Sequence, residues 1–337
     1  MADKFFDLSA KEQRDVLEVA RTAGGRPIHL LEKDVWVVWT LAVMFGAPFG
    51  AHLVFKGGTS LSKAYKAIRR FSEDVDLTYD IHQLVPDLPS SDGDFIPSNR
   101  SQAKKLTDTV RDRLPLWVSE QALTEIQRAL EKDHLTTTAR AEGEKIYIEY
   151  KALAEGYGFV KPVVMLEFGA RSSGEPSEIH KVVCDAAEFI PIVRFPEASA
   201  RVMRVERTFW EKATAAHVFC RQGRLGGEGF ARHWYDLACL HEAGYAERAL
   251  ADREVARAVA IHKRAFFPEK DAQGRAIDYR AAVSGALQLV PEGTALETLR
   301  LDYSKIVQDG ALLDDNQTFD ALIDGCRTIE KLANEGS

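Results

Sequence analysis

The spacing of apolar residues predicts that the chain begins with helices. An apolar stripe runs between Leu8 and Ala20 at helical spacing, and Ser9 stands where an N-cap residue belongs. A second, more apolar helix is predicted over about 27–44, because glycines and a proline follow it closely. We therefore expect two helices before the first strand.

The middle of the chain mixes strand-like and helical patterns. A short β-rich run at 52–56 stops at a glycine pair, and a helix capped by Thr59 or Ser60 is predicted to follow as far as about Arg69. A second strand is predicted at 75–79. Beyond a loop rich in proline and serine, the pattern predicts a long polar helix at 101–132 and strands at 135–139, 145–150, 162–168, 179–184 and 191–195.

The last third of the chain has an almost purely helical pattern. Helices are predicted at 206–221, 230–243, 246–262, 294–308 and 318–333. The change from mixed to helical patterning places a domain boundary near residue 200, with domains at 1–200 and 201–337. The expected fold is α/β with a mixed sheet, followed by a C-terminal helical domain.

Composition indicates a globular protein and limits how it could bind nucleic acid. The 337 residues are 45% apolar and 28% charged, which is ordinary for a folded domain and excludes a wholly disordered chain. The formal net charge is −7, so any surface that binds nucleic acid must be a local basic patch.

Cysteine usage and hydropathy indicate the compartment. The four cysteines show no CxxC spacing, which argues against a zinc site or a disulfide framework. The N-terminus is too charged for a signal peptide, and the most apolar stretch, 35–48, is too short to span a bilayer. We expect a soluble cytoplasmic protein with no membrane partner.

Two aspartates at the start of the second predicted strand are the strongest candidates for chemistry. Asp74 and Asp76 lie two positions apart, so on a strand their carboxylates project from the same face. Like charges placed side by side repel each other unless a cation lies between them. A divalent metal that prefers oxygen ligands, such as Mg²⁺, meets that need.

The glycine pair Gly57-Gly58 adds a second element to this pattern. It joins a predicted strand to a predicted helix, whose first N–H groups can bind phosphate while glycines allow close approach. A glycine pair alone is usually only a turn, and two strand aspartates alone are usually a solvated strand end. Together they predict a phosphate cradle beside a metal-binding pair, as phosphoryl or nucleotidyl transfer requires.

The motif and its surroundings resemble a known family. KGGTSLSKAYKAIRRFSEDVDL at 56–77 resembles the first motif of the DNA polymerase β-like nucleotidyltransferases and, in its fuller form, that of the AbiEii/AbiGii toxins within that superfamily. EKDVW at 32–36, ERTFWEK at 206–212 and RHWYDL at 232–237 resemble further motifs of the toxin family. The resemblance implies a polymerase β-like nucleotidyltransferase core with a C-terminal helical domain that closes over it.

The resemblance assigns a nucleotide-binding role to the glycine motif. Gly58 and Ser60 would hold the triphosphate of the incoming NTP, and Ser72 would lie near enough to the site for regulation. The full set of nucleotide-binding residues implied is Lys56, Gly57, Gly58, Thr59, Ser60, Lys63, Ser72 and Lys212.

The same resemblance assigns the metal ligands. Asp74 and Asp76 would bind Mg²⁺ or Mn²⁺, and the superfamily usually adds a third carboxylate from a later strand. Glu167 is the only acid in the apolar run at 163–168, so it is the candidate for that position. The alternative is an exposed strand glutamate with no part in the chemistry.

Two helical residues complete the implied catalytic set. Lys212 would contact the nucleotide phosphates, although a surface lysine on a helix is the simpler alternative. Asp236 lies on the next helix, where we expect it to orient Lys212 by charge pairing rather than to bind metal. Arginines such as Arg201, Arg204 and Arg207 would suit an RNA backbone if they converge on a cleft.

The implied reaction transfers NMP from an NTP to an acceptor hydroxyl. In the family this activity belongs to growth-arresting toxins of toxin–antitoxin or phage-defence pairs, and the acceptor we expect is the 3′ end of tRNA or another RNA. A cognate antitoxin is implied, with or without direct binding. Three alternatives remain at this point: a small-molecule acceptor as in antibiotic-modifying enzymes, a protein side chain, and a nonenzymatic GTP-binding module.

Overall fold

The computed structural model describes residues 2–70, 74–87, 96–97, 99–154, 161–224, 229–308, 312 and 317–335. The strands are β1 (Asp3–Lys4), β2 (Leu53–Lys56), β3 (Asp74–Tyr79), β4 (Thr138–Glu142), β5 (Lys145–Glu149), β6 (Val163–Gly169), β7 (Ser177–Val183), β8 (Val193–Arg194) and β9 (Glu197–Met203).

The helices are interspersed with these strands as far as β9 and follow one another after it. They are α1 (Ala10–Gly24), α2 (Ile28–Gly46), α3 (Gly57–Lys63), α4 (Ile81–Leu84), α5 (Arg100–Trp117), α6 (Leu123–Lys132), α7 (Val205–Gln222), α8 (Ala231–Glu242), α9 (Tyr245–Ala251), α10 (Arg253–Phe266), α11 (Tyr279–Ala282), α12 (Thr294–Gln308) and α13 (Phe319–Glu335). A π-helical turn, Val118–Ala122, joins α5 to α6.

The described residues form two compact units. The N-terminal unit draws on residues within Met1–Ala64, Phe71–Pro89 and Asp108–Val202. The C-terminal unit draws on residues within Tyr65–Arg70, Ser90–Thr107 and Met203–Ser337. Two short segments from the first third of the chain therefore pack with the C-terminal helices, which the order of the sequence does not indicate.

A mixed seven-stranded sheet organises the N-terminal unit, with strand order β4-β5-β6-β3-β2-β9-β7. The central strand β3 runs parallel to β6 and antiparallel to β2. One face of β3 and β6 is apolar and fully buried, and Phe168 of that face meets the Trp117 ring edge-on at 5.5 Å. This arrangement confirms the predicted α/β fold with a mixed sheet.

From α7 onward, the described part of the C-terminal unit is built from helices, apart from isolated bridges such as the antiparallel one between Lys270 and Ala276. Helix α7 packs against α8, α9 and α10, while α8 also contacts α12 and α13. Trp210 and Trp234 are fully buried, and their indole N–H groups donate to the carbonyls of Ala249 (2.9 Å) and Leu289 (2.6 Å). These bonds satisfy the polar edge of each ring inside an apolar core.

The N-terminal helices form where the pattern predicts them. Ser9 caps α1 in a capping box with Glu12, so each residue satisfies the other's backbone N–H. Helix α2 spans Ile28–Gly46, two residues beyond the predicted end, and is largely buried. Among the described residues no helix is long and apolar enough to cross a membrane. All four cysteines are free thiols, and three of them are buried.

Several predicted elements were wrong in their limits. Helix α3 ends at Lys63 rather than near Arg69, because the following segment leaves to join the C-terminal unit and Lys66 has a left-handed φ of 51°. The predicted helix at 246–262 is two helices, since Asp252 caps α10 by accepting the Val255 N–H. Strand β9 was not predicted at all.

Candidate active site

Strand β3 places Asp74 and Asp76 on one face of the sheet. Both side chains are half-buried, while Val75 and Leu77 between and after them are fully buried on the opposite face. The strand therefore holds two carboxylates side by side on its accessible face because its alternate residues anchor it in the core. The sequence prediction for this pair is confirmed as geometry; its chemical role stays a prediction.

Neighbouring strands extend this pair into a row of charged residues. Asp76 is in register with Lys56 of β2 on one side and with Glu167 of β6 on the other. Glu167 is in turn in register with Lys145 of β5. Residues in register on adjacent strands share a face, so the row places two adjacent carboxylates between two lysines across four strands.

Lys145 is the member of this row that sequence reasoning missed. Its Nζ lies 2.9 Å from Oε2 of Glu167, and both side chains are part-exposed. The hydrogen bond that Lys145 donates to Glu167 raises the pKa of Lys145, and the negative charges of Glu167 and Asp74 add to the effect. Nothing in the sequence could place Lys145 here, because the register of β5 on β6 is a long-range property.

The glycine turn lies directly against the carboxylate of Asp76. Gly57 has a φ of 77°, and a Cβ built on it would lie 2.8 Å from Cγ of Asp76 and closer still to Oδ2. Any side chain at this position would be both strained and in collision with the carboxylate. Gly57 is therefore required for the backbone of the turn to approach the aspartate.

The hydroxyl groups after the turn point inward and brace it. Thr59 Oγ1 donates to the carbonyl oxygen of Asp74, and Ser60 Oγ donates to that of Gly57 at 2.9 Å. The prediction that Thr59 or Ser60 caps the helix was wrong, since α3 begins at Gly57 with Lys56 as its N-cap residue. Gly58, Thr59 and Ser60 are all buried, so the turn is a rigid support for the aspartates.

Lys63 at the end of α3 is engaged by two carboxylates. Its Nζ lies 2.5 Å from Oδ1 of Asp34 and 2.6 Å from Oδ1 of Asp185. Asp34 also accepts the backbone N–H of Asp185 at 2.7 Å. Asp34, in the EKD motif of α2, thus fixes the C-terminal end of α3. Lys63 remains a predicted nucleotide-binding residue whose charge is already compensated in the structure.

The C-terminal unit holds a second, buried charge cluster. Asp236 on α8 is fully buried, and its Oδ2 lies 2.8 Å from Nζ of Lys212 on α7. The expected charge pairing between these two residues is therefore present. Arg70 also binds Asp236, with Nε donating to Oδ1 at 2.7 Å and Nη2 to Oδ2 at 2.9 Å. We name Arg70, Lys212 and Asp236 the buried cluster.

The buried cluster keeps its carboxylate ionised. Burial alone would raise the pKa of Asp236, but the positive charges of Arg70 and Lys212 outweigh it and hold that pKa well below its usual range. Next to the cluster, burial lowers the pKa of His233 to about 3, and the charge of Lys212 adds to the effect. His233 therefore carries no charge at neutral pH.

Other predicted residues are placed less directly. Ser72 lies outside the described residues. Arg201 is paired with Glu175, Arg204 with Glu206 and Asp252, and Arg207 is buried beside Glu211. These arginines therefore have carboxylate partners of their own, so they do not form an uncompensated basic patch.

Carboxylate oxygens of β3 are a donor set that suits a divalent metal. In the described ranges, no group of three or more His, Cys, Asp or Glu side chains is close enough together to hold a metal ion. The two aspartates are therefore the core of the candidate metal site, with Glu167 in register beside them and bonded to Lys145.

The fold and this geometry define a class of protein. A carboxylate pair on one strand face, a glycine turn against it and a mixed sheet beneath it are the parts that a nucleotidyl-transfer site requires.

Comparison with known proteins gives the family. The family model of the nucleotidyl transferase AbiEii toxin, of type IV toxin–antitoxin systems, matches residues 41–325. The protein therefore belongs to the AbiEii toxin family and is a nucleotidyltransferase. This membership excludes a nonenzymatic nucleotide-binding module as its function.

Among solved structures, the chain is similar to MenT4, a nucleotidyltransferase toxin from Mycobacterium tuberculosis H37Rv. The two share 16% sequence identity with a TM-score of 0.48, over 97% of this chain and 90% of that one. No curated protein sequence matches the chain significantly.

Proposed function

We propose that this toxin transfers NMP from an NTP to the 3′ hydroxyl of tRNA and depends on Mg²⁺ or Mn²⁺. The observation that carries the proposal is the contact between the glycine turn and the aspartates. Gly57 lies so close to the Asp76 carboxylate that only a glycine fits. The close approach of this backbone turn to a strand carboxylate supports a site that binds both phosphate and metal.

The residues present fit a divalent metal. Asp74 and Asp76 offer hard oxygen donors on an accessible face, and two like charges at that spacing favour a shared cation. Glu167 is the proposed third ligand: it is in register with Asp76 but bonded to Lys145, so its carboxylate would have to leave that lysine to join the two aspartates. When bound, the metal supplies charge neutralisation for the triphosphate and lowers the pKa of the acceptor hydroxyl.

The residues of the chain itself bind and orient the substrates. The turn at Gly57 and Gly58 approaches the triphosphate through backbone N–H groups, and Lys212 binds phosphate oxygens as a point charge. Asp236 holds the Lys212 ammonium in place. The acceptor hydroxyl gives its proton to solvent and its oxygen attacks the α-phosphorus in line; a new P–O bond forms, the bond from the α-phosphorus to the bridging oxygen breaks, and pyrophosphate leaves. No side chain needs to act as a covalent nucleophile.

The biological setting follows from the family. Type IV toxin–antitoxin membership implies an antitoxin partner and an NTP substrate. We propose that modification of tRNA arrests growth, either in a toxin–antitoxin pair or in phage defence.

A labelling experiment tests this function. Purified protein is incubated with Mg²⁺, total tRNA and each α-³²P-labelled NTP in turn, with Asp76→Asn and the surface variant Asp112→Asn alongside. We expect label in tRNA for one nucleotide with the wild type and Asp112→Asn, and none with Asp76→Asn.

The other outcomes identify other acceptors. Label on a protein band would replace tRNA by a protein side chain as the acceptor. Pyrophosphate release that needs an added small molecule would replace it by that molecule. Equal labelling by Asp76→Asn and the wild type would overturn the site itself.

A further inference from the structure

Within the buried cluster, Arg70 binds both oxygens of the Asp236 carboxylate. The guanidinium donates Nε to Oδ1 and Nη2 to Oδ2 of Asp236, at 2.7 and 2.9 Å. This two-bond geometry fixes the plane of the carboxylate as well as its position, which an ammonium cannot do. Arg70 is 5% exposed and Asp236 is fully buried, so solvent does not weaken the pair.

The cluster contains two cations and one anion. Arg70 and Lys212 share Asp236, whose pKa is held below its usual range, so the three groups carry a net charge of one positive unit. His233 beside them is neutral because burial lowers its pKa to about 3. Without Arg70, the charges of Lys212 and Asp236 would cancel and the ammonium would have little attraction left for an anion.

Arg70 lies in a short segment that packs with the C-terminal unit. In sequence, Arg70 lies between helix α3, which ends at Lys63, and strand β3, which begins at Asp74. The segment Tyr65–Arg70 nevertheless belongs to the C-terminal unit. The Tyr65 hydroxyl donates to the carbonyl of Met203 at 3.0 Å, just before α7. The chain is thus held against the C-terminal helices at both ends of this segment.

We propose that Arg70 is a positioning residue for nucleotide binding, which fixes Asp236 and offsets its charge so that Lys212 keeps a positive charge for a phosphate group. The inference rests on the proposed function, in which Lys212 contacts the triphosphate. It adds a residue that acts only through another and touches no reacting atom.

A charge-balanced set of variants tests the proposal. The affinity for inorganic tripolyphosphate, a probe that needs no base recognition, is measured by calorimetry for the wild type, Arg70→Met, Arg70→Lys and the double variant Arg70→Met/Asp236→Asn. Arg70→Met should weaken binding about tenfold, the scale of one charge-assisted hydrogen bond. Arg70→Lys should lose less, because it keeps the charge without the fork.

The double variant separates charge balance from structural support. It restores the net positive charge by removing both partners, so its affinity should return to within about threefold of the wild type. A purely structural Arg70 predicts that the double variant binds no better than Arg70→Met, and that result would overturn the proposal. Arg70→Gln repeats the comparison if Arg70→Met does not fold.

A matched control and a second readout complete the design. Arg275→Met removes an arginine from Asp271, another buried carboxylate of the same unit, and should leave tripolyphosphate binding unchanged. In the transfer assay, Arg70→Met should raise KM for the NTP and change kcat little. If no acceptor is ever labelled but the tripolyphosphate affinities of the Arg70 variants and the double variant are as predicted, the proposed function fails and the role of Arg70 stands. If transfer occurs but affinity ignores Arg70, this inference alone fails.

Discussion

The strand aspartates and the buried aspartate differ in how their negative charge is compensated. Asp74 and Asp76 stand together on an accessible strand face, where sheet register places one lysine on each side of the row. Asp236 is fully buried and bonded to both an arginine and a lysine. The first region concentrates negative charge at a surface, and the second surrounds a negative charge with cations.

This difference separates a ligand site from a preorganised support. Two neighbouring carboxylates repel each other, so the strand face gains stability when a cation binds there. The buried carboxylate is already satisfied, and it orders the positive groups around it instead. Substitutions of the strand aspartates should therefore lower activity more than stability, and substitution of Asp236 should strongly lower stability.

The largest effect on stability is expected for Asp236→Asn. The change leaves two buried cations without their counter-charge, which typically costs about 3–5 kcal/mol. Hydrogen exchange of peptides from α7 and α8 should accelerate accordingly, while Asp320→Asn, which removes an exposed partner of Arg300, should leave it unchanged. Equal protection in Asp236→Asn and the wild type would contradict the role of the buried cluster.

The same carboxylate has a defined pH dependence. Its pKa is lower in the folded than in the unfolded protein, so its stabilising contribution is fully present above about pH 4, the ordinary aspartate pKa. The contribution is lost as the pH falls toward the folded pKa. In Asp236→Asn this part of the acid dependence should disappear.

Asp74→Asn and Asp76→Asn should lower activity without lowering stability. Transfer should fall at least about 100-fold, since even indirect partners of a metal ligand are worth 10–100-fold. The free energy of unfolding should stay the same or rise slightly, because one of two repelling charges is gone. Urea unfolding and the labelling assay on the same preparations check both halves. Loss of activity together with loss of stability would mean that the pair is structural.

Gly57→Ala should displace the turn from Asp76. The left-handed backbone and the collision with the carboxylate together should cost about 1–3 kcal/mol and lower transfer. Gly143→Ala is the matched control, since Gly143 also has a positive φ, 60°, but its Cβ would meet nothing within 4 Å. Equal losses in the two variants would show that backbone strain alone matters and that the contact with Asp76 does not.

The smallest effect separates the two partners Glu167 and Lys145. Glu167→Gln should lower transfer about tenfold if its carboxylate binds metal with the aspartates. Lys145→Met removes only a part-exposed ion pair and should change transfer less than about threefold. The reverse order would make Glu167 a support for the lysine. Both rates come from the labelling assay at saturating NTP.

Local signals in the sequence predicted much of the fold. The cap at Ser9 and the helix α12 at Thr294–Gln308 follow from capping chemistry and apolar periodicity, and both appear as predicted. Strand β9 escaped prediction because its buried positions include small alanines, Ala198 and Ala200, which give little hydrophobic contrast. The break at Asp252, which caps α10, also escaped prediction because the apolar pattern continues across it.

For the site, the sequence predicted what lies within one strand or turn. The shared face of Asp74 and Asp76 follows from strand geometry alone. The register of Glu167 with Asp76, and that of Lys145 with Glu167, depend on pairing between separate strands, which no local pattern predicts. Arg70 was recognisable only as one of several basic residues, because its partner Asp236 lies 166 positions away.

Metal binding to β3 tests the central claim most directly. Mn²⁺ is titrated into the wild type, Asp76→Asn and Asp236→Asn, and free Mn²⁺ is followed by electron paramagnetic resonance. The account predicts that the wild type and folded Asp236→Asn remove Mn²⁺ from solution, whereas Asp76→Asn does not. Equal Mn²⁺ binding by Asp76→Asn and the wild type would contradict the assignment of the strand carboxylates as the metal site.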